Sequence, residues 1–164
     1  MLIPAPVQTT YTRYQPVAQA GMLADEVNWA ADTRIVETTA GIGFGLAVSQ
    51  GTNDDGCIIG GSAPVGVTRA DTTLARADLA PATSPGIDIY AKGDNAGVLT
   101  MGDIWVLAYA SVSPATASVV FEAATGKFGI AGTTYPNARW MTTAAGTASV
   151  PVLAVLRVAN IATK

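Results

Sequence analysis

The side chains that usually carry out catalysis are thin in this chain. There is no histidine among its 164 residues, so Ser-His-Asp and Cys-His relays, which need an imidazole to take the proton, are excluded. A metal would have to be held by oxygen alone, and Asn53-Asp54-Asp55 is the best candidate run. It is too short for the twelve-residue calcium loop and lacks that loop's closing glutamate, so it reads as a solvated turn. Gly41-Ile42-Gly43-Phe44-Gly45 has the glycine density of a phosphate loop. It neither closes on Gly-Lys-Ser/Thr nor opens a helix, and its glycines read instead as places of bulging or close backbone approach in a sheet. Cys57 stands alone after the acidic Asp54-Asp55-Gly56 turn, a setting that raises a thiol's pKa. It can form no disulfide within the chain and reads as a small buried hydrophobe.

Twelve carboxylates are present, but no pair stands at i, i+2 on one strand as glycoside hydrolysis would invite. Asp88 and Asp94, meeting across a hairpin, are the nearest approach to such a pair. Tyr90, Tyr109, Tyr135 and Trp140 could stack on sugars, although packing in a core or an interface is the commoner use of such rings. No catalytic, cofactor-binding or metal-binding constellation emerges.

Composition sets the same limits. Only 13% of residues are charged against 49% apolar, whereas a soluble domain usually carries about a quarter charged side chains. Ala, Thr, Gly and Ser cover the surface instead, and such small neutral groups tolerate being pressed against another protein. The net charge is −3, with nine Lys and Arg spread along the chain. No basic run exists to neutralise a phosphate backbone, so no nucleic-acid partner is expected. No uninterrupted apolar stretch approaches about 18 residues, and Val150–Val158 is broken by Pro151 and Arg157, so no membrane span is expected. The N-terminus lacks a basic segment followed by an apolar one, which argues against a signal peptide and for a protein made in a reducing cytoplasm.

The elements that would position any contact residue are strands. Arg34-Ile35-Val36-Glu37-Thr38 alternates at period two, and Gly43–Ser49, Cys57-Ile58-Ile59 and Val65-Gly66-Val67-Thr68 follow between Gly-rich breaks. Asp71 to Pro85 reads as a loop or a single helical turn that Pro81 stops early. Ile87–Tyr90 and Val98-Leu99 come next, and Met101-Gly102-Asp103 reads as another turn. The clearest strand is Ile104–Val112, apolar on both faces at its start as a strand central to a sandwich or barrel would be. Val119-Val120-Phe121 and Phe128-Gly129-Ile130 flank a hairpin connection at Thr125-Gly126-Lys127, and Arg139–Thr142 and Val150–Val158 close the chain. The expectation is an all-β sandwich or barrel of short antiparallel strands.

Residues 1–25 differ from the rest and are expected to form an extended N-terminal arm, with 26–164 a single β-rich domain. Pro4, Pro6 and Pro16 forbid a continuous helix. Ordering about 20 such residues costs on the order of 20–40 kcal/mol, and offsetting this needs roughly 1,000 Å² of apolar contact. The arm must therefore lie on its own domain, lie on a neighbour, or stay disordered. Tyr11 and Tyr14, with Arg13 and Pro16 beside them, are the expected protein-contact residues, since aromatic and arginine side chains dominate contact energies.

Several segments taken in order resemble the structural cement proteins of tailed bacteriophages, small decoration proteins of the capsid. They are Tyr14-Gln15-Pro16 through Gly21-Met22-Leu23-Ala24-Asp25, then Ile42-Gly43-Phe44-Gly45-Leu46-Ala47-Val48, the "fGxAV" strand of that group. Val65-Gly66-Val67-Thr68, Tyr90-Ala91-Lys92-Gly93-Asp94 and Gly102-Asp103-Ile104-Trp105-Val106 continue the series. The resemblance implies a β-rich protein on the capsid surface of the virion, a major capsid protein as partner, and a homo-oligomer with a trimer favoured. It implies no enzymatic activity, no cofactor and no metal. Two other readings compete: a carbohydrate-binding β-sandwich with Trp140 and Tyr135 as its platform, and a phage tail component.

Overall fold

The computed structural model describes residues 18–71 and 89–159, and among these there is no helix. The first seven strands are β1 (Ala30–Val36), β2 (Ile42–Gly43), β3 (Ala47–Gln50), β4 (Gly56–Ile59), β5 (Pro64–Thr68), β6 (Ile89–Tyr90) and β7 (Asn95–Ala108). Six more follow: β8 (Ser111–Val112), β9 (Val119–Phe121), β10 (Thr133–Tyr135), β11 (Ala138–Trp140), β12 (Ala144–Ala145) and β13 (Val152–Val158). The all-β expectation holds.

Five strands, in the order β1-β4-β3-β5-β7, close into a ring because β7 also pairs with β1. A closed ring with an odd number of strands cannot alternate direction throughout. The pairing of β1 with β4 is accordingly parallel, with Ile35 opposite Gly56, which corrects the expectation of antiparallel pairing alone. Each strand of the ring sends an apolar side chain into one core: Val36, Val48, Cys57, Val65 and Val98, with Ile42 and Tyr90 from the β2–β6 ladder packed beside them. A Cβ at Gly41 would stand 2.6 Å from the Tyr90 carbonyl oxygen, and its φ is +78°. The glycine-rich run thus serves close backbone approach, as its sequence indicated.

The second correction concerns β7. Met101-Gly102-Asp103 is not a turn but the middle of a 14-residue strand. Up to Met101 the strand pairs with β1, and from Gly102 onward with β13. The register against β1 skips Thr100, since Ala30 faces Met101 and Ala31 faces Leu99. Such a bulge reverses which face later residues present. It therefore places Leu99 on the same side as Ile104, Val106 and Ala108, all members of the second core. Gly102 takes a φ of +131° at the crossover, a conformation that costs glycine little.

That second core lies between the β7–β13–β11 part of the large sheet and the β9–β10 and β8–β12 ladders. Phe121, Phe128, Tyr135 and Trp140 are all wholly or almost wholly buried in it. Phe128 is their hub, with ring centroids 6.3 Å from Phe121, 5.9 Å from Tyr135 and 6.3 Å from Trp140. Among the described residues the Tyr135 hydroxyl has no hydrogen-bond partner, and burial pushes its pKa well above the ordinary tyrosine value. The turn read at Thr125-Gly126-Lys127 is present, with Gly126 N–H donating to the Glu122 carbonyl at 2.8 Å. Phe128-Gly129-Ile130, however, is not a strand: Phe128 makes only isolated bridges, to Phe121 and Ala108, and β9 takes β10 as its ladder partner.

Cys57 is buried in the first core, and burial pushes its thiol up to about 11 from an ordinary 9, Arg34 opposing the rise and Glu37 adding to it. The folded chain holds its proton more tightly than the unfolded chain. The associated stability is therefore complete below pH 9 and is lost as the pH rises through about 11. The urea midpoint is expected to fall across that window, and to fall less in Cys57→Ala. An equal fall in both proteins would contradict the assignment.

Candidate functional site

The surface feature best suited to recognition lies where β7 changes partners. Residues 21–24 run along this strand: Gly21 N–H donates to the Trp105 carbonyl at 2.7 Å, Trp105 N–H to Met22 at 2.8 Å, and Ala24 N–H to Asp103 at 2.8 Å. From Ala24 to Ala30 every residue is exposed. The Asp25 carboxylate accepts the Val27 N–H at 2.9 Å, a local Asx turn that swings the chain outward. Val27 is left 81% exposed. Trp29 lies against Gly102, where an added Cβ would come within 2.9 Å of the Trp29 Cβ. The Arg69 guanidinium sits 4.5 Å from the Trp29 ring centroid, a cation–π contact that fixes the indole while leaving it 41% exposed.

Beside this loop, Asp103 and Arg157 stand directly opposite each other on β7 and β13. They form a two-pronged ion pair, Nε to Oδ1 and Nη2 to Oδ2, both 2.7 Å. The hydrogen bonds and charge of Asp103, with a contribution from Asp25, raise the Arg157 pKa. Asp25, Asn28, Met101, Asp103, Arg157 and Val158 line a groove of about 300 Å³. Exposed Val27, Trp29 and Met101 lie close by in sequence or in the groove wall. The arrangement offers apolar contact area flanked by fixed charges, which suits protein recognition rather than bond chemistry.

The predicted contact residues Tyr11, Arg13, Tyr14 and Pro16 lie outside the described residues, as do Asp88 and most of the Asp71–Pro85 segment. Of the expected arm, residues 18–25 are described, and Leu23 bridges to Ile104 of β7. The sugar-platform reading is overturned, because Tyr135 and Trp140 are each only 1% exposed and form part of the aromatic core. Tyr90 is equally buried and donates its hydroxyl to the Arg69 carbonyl at 2.9 Å. Tyr109 instead carries Lys127 over its ring at 5.0 Å. Asn53-Asp54-Asp55 is an exposed turn, pinned because Glu37 accepts the N–H groups of Thr52 and Asn53 at 2.7 and 2.9 Å. These bonds lower the Glu37 pKa. The loop at residues 25–29 was missed from sequence; its signal was two large apolar residues, Val27 and Trp29, interleaved with Asp25, Glu26 and Asn28.

Comparison with known proteins bears on what such a surface serves. A family model described as structural cement protein (E217 gp24/Pam3 gp6) matches residues 7–157. Among solved structures, a chain from the capsid of Myoviridae Phage XM1 has a similar fold. The TM-score is 0.65 at 14% identity, covering 93% of this chain and 97% of that one. No curated protein matches the chain.

Proposed function

The chain belongs to the phage structural cement proteins, and from that premise we propose that it binds the outer surface of a phage head and bridges neighbouring major capsid subunits. The family match over residues 7–157 carries this reading. A cement protein works by contact area, and three features supply it. The surface holds few charges to desolvate, the loop around Trp29 exposes apolar area beside fixed charges, and in this reading the Pro- and Tyr-rich segment before Ala18 adds contact with a neighbouring subunit. In this reading Tyr11, Arg13, Tyr14 and Pro16 touch the shell, the copies associate as homo-oligomers with a trimer favoured, and the role is mechanical rather than enzymatic. Assembly takes place in the host cytoplasm.

The test is mechanical as well. Heads stripped of the protein should rupture at a lower temperature than native heads, and adding the purified protein back should restore the native value. Full rebinding with no change in rupture temperature would contradict a cementing role.

A further inference from the structure

Four neighbouring chain segments line their charges up in one row. On β11 and β13, Arg139 stands directly opposite Arg157, and Arg157 stands directly opposite Asp103 on β7. Ala24 hydrogen-bonds to Asp103 from the far side of the row, which brings Asp25 and Glu26 next. The order is therefore two cations followed by three carboxylates. With adjacent strands about 4.8 Å apart, the row spans roughly 15 Å.

Only its middle is neutralised. Arg157 and Asp103 form the single ion pair among the described residues. Arg139 is exposed and has no ion-pair partner among the described residues; the residue opposite it is Arg157, whose carboxylate partner Asp103 lies on the far side. Glu26 is equally exposed and unpaired at the other end. Exposed Val27 and Met101 adjoin the acidic end. A surface positive at one end and negative at the other is complementary to itself. Whether copies meet as a two-fold pair or head to tail in a ring, the basic end of one can meet the acidic end of the next.

We propose that this face joins copies of the chain, with Arg139 of one copy against Asp25 and Glu26 of its neighbour. The inference deepens the oligomeric part of the cement reading and rests on it only for bringing copies together. It is tested on the full-length protein by analytical ultracentrifugation, with Arg139→Glu, Glu26→Arg and the double variant. Both positions are exposed, and circular dichroism confirms folding of each variant. Each single variant should weaken self-association by about tenfold or more, and the double variant should return most of it. Association should also weaken with rising salt, since both ends are solvent-exposed.

A wild-type protein that stays monomeric at every accessible concentration would overturn the proposal. So would folded single variants that associate normally, or a double variant that restores nothing. Pelleting with intact heads separates the two claims. Charge-swap association in a protein that never binds heads would sink the cement reading alone. Loss of head binding in Arg139→Glu, with unchanged self-association, would assign this face to the shell and overturn the self-contact.

Discussion

Phe128→Ala is expected to lower the free energy of unfolding by about 3–5 kcal/mol, the range for removing a buried phenyl ring from a packed core. Phe128 is fully buried and packs edge-on or tilted against Phe121, Tyr135 and Trp140. Its backbone also bridges to Ala108 and to Phe121, so the ring sits where the long strand and the β9 hairpin are held together. Its neighbours have little freedom to collapse into the space, because each is itself locked into the same cluster. For a chain of this size, about 2–4 °C of melting temperature accompanies each kcal/mol, giving a fall of roughly 6–20 °C by calorimetry. Val150→Ala is the matched control, since Val150 is 66% exposed and should change stability by no more than about 0.5 kcal/mol. Equal effects at the two positions would mean that the aromatic cluster is not the second core.

The largest effect on binding is expected from Tyr11→Ala combined with Tyr14→Ala. Tyrosines at contact centres each contribute about 2 kcal/mol or more when truncated. If both anchor the arm on the shell and the two losses add, affinity for stripped heads should fall by about 700-fold or more. The melting temperature should barely move, because the two cores are built from residues between Val36 and Val158. Binding would be measured by pelleting the labelled protein with heads over a concentration series. Unchanged affinity would remove the arm from the contact and leave recognition to the folded part of the chain.

How much of this was legible in sequence depended on how local each signal was. Val152–Val158 was legible as a strand because six of its seven residues are apolar, a run short enough to read as a buried strand; in the fold Ala154, Leu156 and Val158 face the core. The crossover at Gly102 was not visible. A Gly-Asp pair reads locally as a turn, and only the change of partner from β1 to β13 explains why a glycine stands mid-strand. Closure of the five-stranded ring, and with it the parallel β1–β4 pairing, depends on residues more than 60 positions apart meeting, such as Ala30 and Met101. Trp140 and Tyr135 could not be told from an exposed platform by residue type, because burial is decided by what the rest of the fold stacks on them. The Arg139–Arg157–Asp103 row was hidden for the same reason: it exists only once three strands are in register.

The scarcity of charge gains meaning from the fold. Residues 104–121 and 140–156 contain no charged side chain, and they supply the C-terminal end of β7, all of β8, β9 and β12, and most of β13. Such a region can be covered by neighbours without stripping water from ions, which would be costly. Charges instead collect around the groove and the turns, where they can set register between partners.

The most direct measurement is an electron cryomicroscopy reconstruction of intact heads at a resolution that traces strands. The cement reading predicts this β fold on the outer surface, each copy contacting two neighbouring shell subunits, in a number near that of the subunits themselves. Density for the protein confined to the tail, or copies each touching a single shell subunit, would contradict it.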